Sequence, residues 1–417
     1  FDWFDVAFDR LPGRDTFPLA YTKTGEAGLS AGPFHPTTYL TPAGFQWSAW
    51  YAAFGASTPT APPVTAKLTE RINWLLQRDE PTVSMVGSTY SETGTWAEST
   101  RFSYRSVMMG TNYEEIYTGI QHQPVTFGDY LTAGVYWYAP SGDIQTGPPA
   151  GLPAIIWLHP YSYSVGYSPG YGEADVVVEL AKAGFVVVAY DQVGFATRLR
   201  EGGTTFYARH GSRASLFGHM VWDAQAAVDF LQCITVAERN HPSGGCSDGE
   251  NHIGPYPDFL GTVPSIDPSK LFIAGYSLGG NVALHTAAID TRITGGVASF
   301  AGFTPMRTDT NGKPTGGIQR LYDFHALLPR LGLFSKDPSK IPYDYDELIS
   351  SIAPRPILLY TPTQDRDATF EDVLDCVDVA RKAWKDDKFF NHTAPDTLTS
   401  MGAVETVALL DWAKQLL

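Results

Sequence analysis

The sequence predicts an α/β protein with a mostly parallel central sheet flanked by helices, and three observations lead to that prediction. From about residue 126 onward, short apolar runs alternate with segments of helical periodicity, which is typical of strands joined by crossover helices. Several apolar runs, such as 153–158 and 185–190, are continuous, as expected for strands buried on both faces. One run ends in the tight turn Gly275-Tyr276-Ser277-Leu278-Gly279, after which a helix opens.

The region before residue 115 is predicted to be an N-terminal extension packed on the core. Residues 1–62 are rich in Pro, Gly, Thr and aromatic side chains, and this aromatic density argues against disorder. An amphipathic helix is expected over 65–78, because Leu68, Ile72, Leu75 and Leu76 share one face. Residues 82–125 alternate polar and apolar residues, as short strands do.

Residues 115–417 are predicted to form the main α/β domain. An antiparallel strand is expected early, at 131–138, and buried strands then alternate with helices. The other predicted strands are 153–158, 185–190, the run that ends at 276, 296–300 and 356–360. The predicted helices are 173–182, 215–232, 278–288, 369–384 and 401–416. Two long insertions, 234–268 and 304–350, interrupt this order. Loops of such length in a compact domain usually cover a functional site, and 304–350 is therefore predicted to be a cover.

Composition excludes several classes of function. The chain has 417 residues, 43% of them hydrophobic, which allows a sizeable core. A net charge of -15 argues against nucleic acid or an anionic membrane surface as a partner, and no apolar run is long enough to span a bilayer. The chain begins with Phe1 instead of Met, which suggests removal of a signal peptide or a tag and leads us to expect a secreted or periplasmic protein.

The three cysteines leave two interpretations open. Cys233 and Cys246 lie thirteen residues apart and would close a disulfide in an oxidising compartment, or they are two reduced thiols. Cys376 occupies an apolar position of a predicted helix. The sequence contains no C-x-x-C pair and no His/Cys cluster with zinc spacing, and neither a metal nor a cofactor is expected.

Ser277 is the candidate nucleophile. In a strand–turn–helix with the form G-x-S-x-G, the serine has strained backbone angles, and small residues two positions before and after let the chain double back. The helix N-terminus then supplies N–H groups where an oxyanion would form. The motif also arises by chance in a chain with 40 glycines, but here the required strand and helix flank it.

This order of elements around Ser277 resembles the α/β-hydrolase family over residues 115–417. The resemblance implies a catalytic triad in the order Ser, Asp/Glu, His, with the acid after a late strand. Asp365 follows the strand at 356–360 and fits the acid, with Asp367 as a rival. His392 is the only histidine after the acid and is the expected base; an exposed, non-catalytic histidine is the alternative.

The oxyanion hole is expected to use the backbone N–H groups of Leu278 and Tyr161. The loop after the strand at 153–158 reads His159-Pro160-Tyr161, and proline has no N–H to donate. His159 and His285 are expected to be structural. Tyr163, Arg198 and Tyr276 are candidate substrate-binding residues; the alternatives are a structural ion pair for Arg198 and packed aromatic rings for the tyrosines.

Within the family, two segments look like the dienelactone-hydrolase and acetyl-xylan-esterase-like branches. They are 352–356, with the sequence IAPRP, and 191–195, with the sequence DQVGF. Acetyl xylan esterases usually carry Gln after the nucleophile and glucuronoyl esterases carry Arg there, whereas this chain has Leu278. The natural ester is therefore left open.

The resemblance implies a serine carboxylic ester hydrolase that works through an acyl-enzyme without a cofactor. The expected substrates are acetyl or other small acyl esters of a small or polymeric carbohydrate. The alternatives are a prolyl-oligopeptidase-type peptidase, a hydrolase of aromatic esters (feruloyl, glucuronoyl or polyester), and an inactive α/β-hydrolase that only binds.

Overall fold

A computed structural model describes residues 60–78, 119–127, 131–139, 150–162, 166–167, 176–202, 206, 210, 214–235, 263–307, 317–325, 327–335 and 337–417. Most of the predicted N-terminal extension, residues 1–59 and 79–114, lies outside these ranges. The division into an extension and a main domain therefore stays a prediction.

The described part of the chain is organised around one eight-stranded sheet with the order β1-β2-β4-β3-β5-β6-β7-β8. Strands β1 and β2 are antiparallel to their neighbours, and the pairs from β4 to β8 are parallel. The strand bounds are β1 Ile120–Phe127, β2 Leu131–Tyr138, β3 Leu152–Leu158, β4 Val186–Tyr190, β5 Ile266–Tyr276, β6 Gly296–Phe300, β7 Ile357–Tyr360 and β8 Phe390–Thr393. The predicted fold class, with its early antiparallel strand, is confirmed.

Helices cover both faces of this sheet, because each face buries its own apolar cluster. The helices are α1 Leu68–Leu75, α2 Val176–Lys182, α3 Leu216–Cys233, α4 Leu278–Ile289, α5 Tyr345–Ser350, α6 Phe370–Arg381 and α7 Ala403–Lys414. Helices α2 and α7 pack on one face, and the apolar residues of α1, α3, α4, α5 and α6 join the cluster on the other.

The order of the strands determines where a site can form. Strand β3 lies between β4 and β5. The chain therefore crosses from β3 to β4 on one side of it, and later adds β5 on the other side. In open parallel sheets, ligands bind beyond the carboxyl ends of the strands at such a reversal. The loops after β3 and β5 meet there.

The predicted helix over 65–78 is shorter in the structure, Leu68–Leu75, but it is firmly held. The Ser215 hydroxyl donates to the Leu76 carbonyl (2.7 Å) and accepts from the Gly218 N–H (2.9 Å). One side chain thus caps α3 and ties it to the end of α1. The buried Arg330 guanidinium lies 4.8 Å from the centre of the Trp74 ring, which fixes α1 from the other side.

The described part of the insertion 304–350 packs into the core instead of lying loosely over it. The carboxylate of Asp344 caps α5 and accepts hydrogen bonds from the backbone N–H groups of Met306 (2.8 Å) and Arg307 (2.7 Å). This carboxylate joins the start of the insertion to its last helix. Asp344 is buried, and its carboxylate oxygens accept hydrogen bonds from backbone N–H groups. Its role is therefore structural.

The cysteine predictions are tested in part. Cys233 is disulfide-bonded, and Cys376 on α6 is free and buried. Cys246, the partner predicted for Cys233, lies outside the described residues. Among the helices that the structure describes, none is long and apolar enough to cross a membrane.

Candidate active site

The turn between β5 and α4 holds Ser277 in a strained conformation. Its φ is +52° and its ψ is -115°, in a region that a residue with a side chain rarely adopts. The Ser277 N–H donates to the Phe300 carbonyl (2.8 Å), which ties the turn to the end of β6. Helix α4 begins at the next residue, so its N-terminal N–H groups surround the serine.

The glycines of this turn are required by close backbone contacts. A Cβ on Gly275 would lie 2.2 Å from the carbonyl carbon of Gly279, and a Cβ on Gly279 would lie 2.0 Å from the carbonyl oxygen of Leu158. No side chain fits at either position. The predicted steric reason for the glycines is thus confirmed, and Gly279 in addition lets the start of α4 touch the end of β3.

The loop after β3 is fixed by His159. The Gln192 N–H donates to His159 Nε2 (2.9 Å), which leaves the proton on Nδ1, and Nδ1 then donates to the Pro160 carbonyl (2.6 Å). The Gln192 side chain donates in return to the His159 carbonyl (2.7 Å). His159 is buried and structural, as predicted, and it positions the loop that carries Tyr161.

A polar cavity opens above Ser277. The two predicted oxyanion donors, Leu278 and Tyr161, line it together with Ser277 and Asp365. Its other polar residues come from α4, α5, the loop after β7 and the insertion 304–350; they are Asn281, Thr304, Arg320, Tyr345 and Asp367. The predicted location of the insertion over the site is confirmed.

Asp365 lies in this cavity, in the loop that follows β7. Burial raises the pKa of its carboxyl above the ordinary value, while the nearby Thr399 hydroxyl and the charges of Arg320 and Arg366 oppose that rise. The Asp367 N–H donates to Asp365 Oδ1 (2.9 Å), which holds the carboxylate within the loop. Asp365 and Ser277 thus line the same cavity, and the role of Asp365 as the acid stays a prediction.

Asp367, the rival acid, has a different partner. Its carboxylate forms an ion pair with the guanidinium of Arg320, and its carbonyl accepts from the Thr304 hydroxyl (2.8 Å). Both contacts join the loop after β7 to the insertion 304–350. This carboxylate therefore binds the cover.

His392 is not brought to Ser277. Paired residues at the ends of β5, β6, β7 and β8 form one row across the sheet, namely Tyr276, Phe300, Tyr360 and Thr393. Ser277 directly follows Tyr276, at the β5 end of this row. His392 precedes the last of these, inside β8 and three strands from β5. Three strand spacings amount to about 14 Å, which exceeds the reach of an imidazole.

The local partners of His392 agree with this distance. Its Nε2 lies 2.7 Å from the Thr361 hydroxyl, and it is absent from the described residues that line the cavity. Burial and the charge of Arg381 on α6 lower its pKa, while Asp378 opposes them. The structure therefore gives no support to the prediction that His392 is the base, because the histidine lies within a paired strand instead of beyond its end.

Arg198 adopts the structural alternative. Its side chain is 3% exposed and donates to Asp223 (2.6 Å) and Glu201 (2.9 Å). An arginine buried in two ion pairs has no access to a substrate, and its predicted binding role is a misassignment. Tyr276 packs against the apolar cluster of α2 and α7 and does not line the cavity, while Tyr163 lies outside the described residues.

Sequence reasoning missed four of the polar residues in the cavity. Asn281 follows Ser277 by one helical turn, so that its i+4 spacing could have revealed it. It accepts a hydrogen bond from the Tyr345 hydroxyl (2.5 Å). Thr304, Arg320 and Tyr345 belong to the insertion, and no local pattern indicates that they reach the site. Arg320 lies on the π-helical turn Gln319–Phe324, a kind of element that occurs frequently at functional sites.

Comparison with known proteins points to carbohydrate esterases. A family model described as "Glucuronyl esterase, fungi" matches residues 258–386, less than a third of the chain; the match includes Ser277 and Asp365 and ends before His392. Over 111 residues the chain is 30% identical to Carbohydrate esterase MZ0003 from an unknown prokaryotic organism. This match spans 26% of this chain and only 26% of that protein.

The similar solved structures include two glucuronoyl esterases. One, of carbohydrate esterase family 15 from Caldicellulosiruptor kristjansonii, is 20% identical, with 72% of this chain and 77% of that chain covered and a TM-score of 0.45. Another, from Solibacter usitatus, is 12% identical, with 71% and 86% covered and a TM-score of 0.48. These scores are low, and the fold assignment therefore rests on the molecule itself. By its strand order, its strained Ser277 turn and the position of the acidic loop after β7, the chain has the α/β-hydrolase fold.

Proposed function

We propose that the protein is a serine carboxylic ester hydrolase that acts on carbohydrate esters, with a uronoyl ester as the favoured substrate. The observation that carries this proposal is Ser277, held at positive φ at the start of α4 and open to a polar cavity. A residue with a side chain keeps such angles only when the surrounding structure enforces them, which is common at catalytic positions. The partial matches to carbohydrate esterases support the same activity.

In this mechanism the Ser277 hydroxyl attacks the ester carbonyl carbon. The carbonyl oxygen becomes an oxyanion, which the N–H groups of Leu278 and Tyr161 would stabilise. Collapse of the tetrahedral intermediate breaks the bond to the alcohol, which leaves with the proton that the Ser277 hydroxyl gave up on attack. Water then attacks the acyl-enzyme by the same steps and releases the acid.

The polar lining of the cavity favours a polar acyl group. Beside apolar residues such as Phe303 and Leu321, the lining presents a guanidinium, two carboxylates, an amide and hydroxyls, which an acetyl methyl group would not use. Several of these groups already bond to one another, and a polar acyl group can add hydrogen bonds to such a network, whereas an apolar one cannot. A uronoyl group carries hydroxyls around its ring and would add such hydrogen bonds. The glucuronoyl alternative is therefore preferred to the acetyl esters that the sequence first suggested.

The experiment compares esters with the same alcohol. Benzyl D-glucuronate and benzyl acetate differ only in the acyl group, and kcat/KM for each measures the preference of the acyl site. We expect a preference for the uronoyl ester, with both activities lost in Ser277→Ala. An enzyme that prefers benzyl acetate would contradict the proposed substrate, and hydrolysis independent of Ser277 would contradict the mechanism.

A secreted or periplasmic location forms part of the proposal. The disulfide at Cys233 supports it, since disulfides persist mainly in oxidising compartments. Fractionation of the native host cells would test this, and recovery of the protein only from the cytosol would contradict it.

A further inference from the structure

We propose that Arg320 and Asp367 form a binding pair for the hydroxyl groups of a neutral, polyhydroxylated acyl group, and that this pair sets the acyl specificity of the enzyme. The inference rests on the proposed function, since it names the part of the site that would recognise a uronoyl ester.

The pair is formed by two distant segments of the chain that meet at the cavity. Arg320 lies on the π-helical turn Gln319–Phe324 of the insertion, and Asp367 lies in the loop after β7. Their ion pair is on the wall of the cavity that contains Ser277. The guanidinium also acts on the carboxyl of Asp365, so that it lies close to the predicted acid.

Asp367 is held in place from both sides. Its N–H donates to Asp365 Oδ1 (2.9 Å), and its carbonyl accepts from the Thr304 hydroxyl (2.8 Å). Shortly after Thr304, the backbone N–H of Met306 is bonded to the buried Asp344. The side chain that orients Arg320 therefore belongs to a rigid framework, and a fixed binding group loses little entropy when it meets a ligand.

The chemistry of the pair matches hydroxyl groups. A guanidinium only donates hydrogen bonds and an ionised carboxylate only accepts them, whereas a hydroxyl does both. Adjacent hydroxyls on a sugar ring can therefore satisfy the arginine and the aspartate at the same time.

The charge of the cavity argues against an anionic acyl group. Among the described lining residues, one guanidinium faces the carboxylates of Asp365 and Asp367. When both carboxylates are ionised, the lining carries excess negative charge and repels a free carboxylate on the substrate. An ester of a uronic acid is neutral and meets no such repulsion.

The chain offers a matched control for the charge of Arg320. Arg366 also acts on the carboxyl of Asp365, but it is exposed and does not line the cavity. Removing either arginine withdraws a positive charge near Asp365, whereas only Arg320 can contact the acyl group. Arg320→Gln and Arg366→Gln thus separate direct binding from a remote electrostatic effect.

The test measures kcat/KM for benzyl D-glucuronate and for benzyl acetate in the wild type and both variants. A lost hydrogen bond from a charged group reduces binding by about ten- to a hundredfold. We expect Arg320→Gln to lower the glucuronate-to-acetate ratio by that factor, Asp367→Asn to lower it in the same direction, and Arg366→Gln to leave it unchanged. Benzyl hydrogen succinate, which carries an anionic acyl group, is expected to be a poorer substrate than benzyl acetate.

Two results would overturn the inference. An equal loss for both esters in Arg320→Gln would mean that the guanidinium stabilises reaction charge without selecting the acyl group, and kcat/KM values unchanged for both esters would exclude contact with it. If Arg320→Gln does not fold, Arg320→Lys keeps the charge and lacks the planar fork of donors, so the same ratio is measured there.

A binding measurement separates failure of the inference from failure of the proposed function. In the Ser277→Ala background, titration of benzyl D-glucuronate by calorimetry reports affinity without turnover. A tenfold loss of affinity in Ser277→Ala/Arg320→Gln would support the binding pair even if the wild type hydrolysed neither ester. Equal affinity of the two proteins would overturn the pair even if the wild type proved an active esterase.

Discussion

The two sides of the active site are built in different ways. On the nucleophile side, Ser277, the glycines around it and helix α4 are contiguous in sequence, and short backbone contacts enforce their geometry. On the acid side, Asp365, Asp367 and Arg320 come from a loop and an insertion and are held by side-chain contacts. A local motif thus specifies the candidate nucleophile, whereas tertiary packing assembles the polar residues around it.

The largest effect is expected for Ser277→Ala. Removal of the nucleophile should lower kcat by on the order of 10⁴-fold or more, because the attacking oxygen is lost and the other catalytic groups act only through it. Melting temperature should change little, since the Cβ and the backbone remain. Steady-state kinetics checks this, and activity within tenfold of the wild type would refute the assignment of Ser277.

The second comparison is between the two carboxylates on the acid side. Asp365→Asn should lower kcat by on the order of 10³-fold if this carboxylate supports the reacting groups, and by far more than Asp367→Asn. Asp367→Asn should mainly alter acyl preference, because its carboxylate holds Arg320. The reverse ranking in kcat would transfer the acid role to Asp367.

The pH dependence of the same reaction gives an independent check on Asp365. Burial raises the pKa of its carboxyl, so the acidic limb of kcat/KM should lie at a higher pH than an ordinary aspartate would give. Arg366→Gln should move that limb further upward, since a positive charge that opposes the rise is removed. If the acidic limb of the pH profile stays at the same pH in Arg366→Gln, the group that titrates there is not Asp365.

On the nucleophile side, Gly279→Ala should damage both stability and activity. The added Cβ would lie 2.0 Å from the Leu158 carbonyl oxygen, which forces α4 away from β3 and should cost about 1–3 kcal/mol or more of the free energy of unfolding. Gly402→Ala is the control, because its Cβ would approach its nearest atom only to 3.5 Å. Denaturant titration compares the two, and equal stability would mean that the turn is not held as tightly as described.

A buried histidine on α4 should make the protein sensitive to acid. His285 Nδ1 donates to the Asn281 carbonyl and Nε2 accepts from the Tyr343 hydroxyl, and burial lowers the pKa of this imidazole to about 4. The unfolded chain binds a proton near pH 6.5 and the folded chain near pH 4. The free energy of unfolding should therefore fall by about 3 kcal/mol as the pH drops through this window.

His285→Gln tests the source of that acid sensitivity. The variant should be less stable than the wild type at pH 7, because the two hydrogen bonds are altered, but its stability should fall less steeply between pH 6.5 and pH 4. Chemical denaturation at several pH values measures both slopes. Parallel slopes would show that His285 does not titrate between the two states.

The smallest effect is expected for His392, on the acid side. Because β8 and Thr361 hold it away from Ser277, His392→Ala should change kcat by less than about tenfold and lower the free energy of unfolding by about 1 kcal/mol. A loss of about 10³-fold in kcat would restore the original assignment. If His392 is not the general base, another histidine must deprotonate Ser277. Alanine substitution of His325, His35, His241 and His252, the last three outside the described residues, followed by measurement of kcat, would identify it.

Much of this protein could be predicted from its sequence alone, wherever the decisive contacts are local. Apolar runs gave the strands, with 131–138 and 296–300 matching the structure at both ends, and helix starts such as Ser215 follow from capping preferences. The Ser277 turn could be predicted because its steric requirement falls on residues two positions away. The structural role of His159 was also anticipated, since a histidine at the end of a buried strand needs partners.

Only the tertiary structure decided which residues face the serine. The strand register places His392 inside β8, and burial commits Arg198 to Asp223 and Glu201. The ion pair of Arg320 with Asp367 joins residues that are far apart in the chain. Contacts of this kind depend on packing between distant segments, for which a sequence carries no periodic or local signal. The sequence therefore determined the candidate nucleophile and the fold around it, and the folded chain alone determined the polar cavity above it.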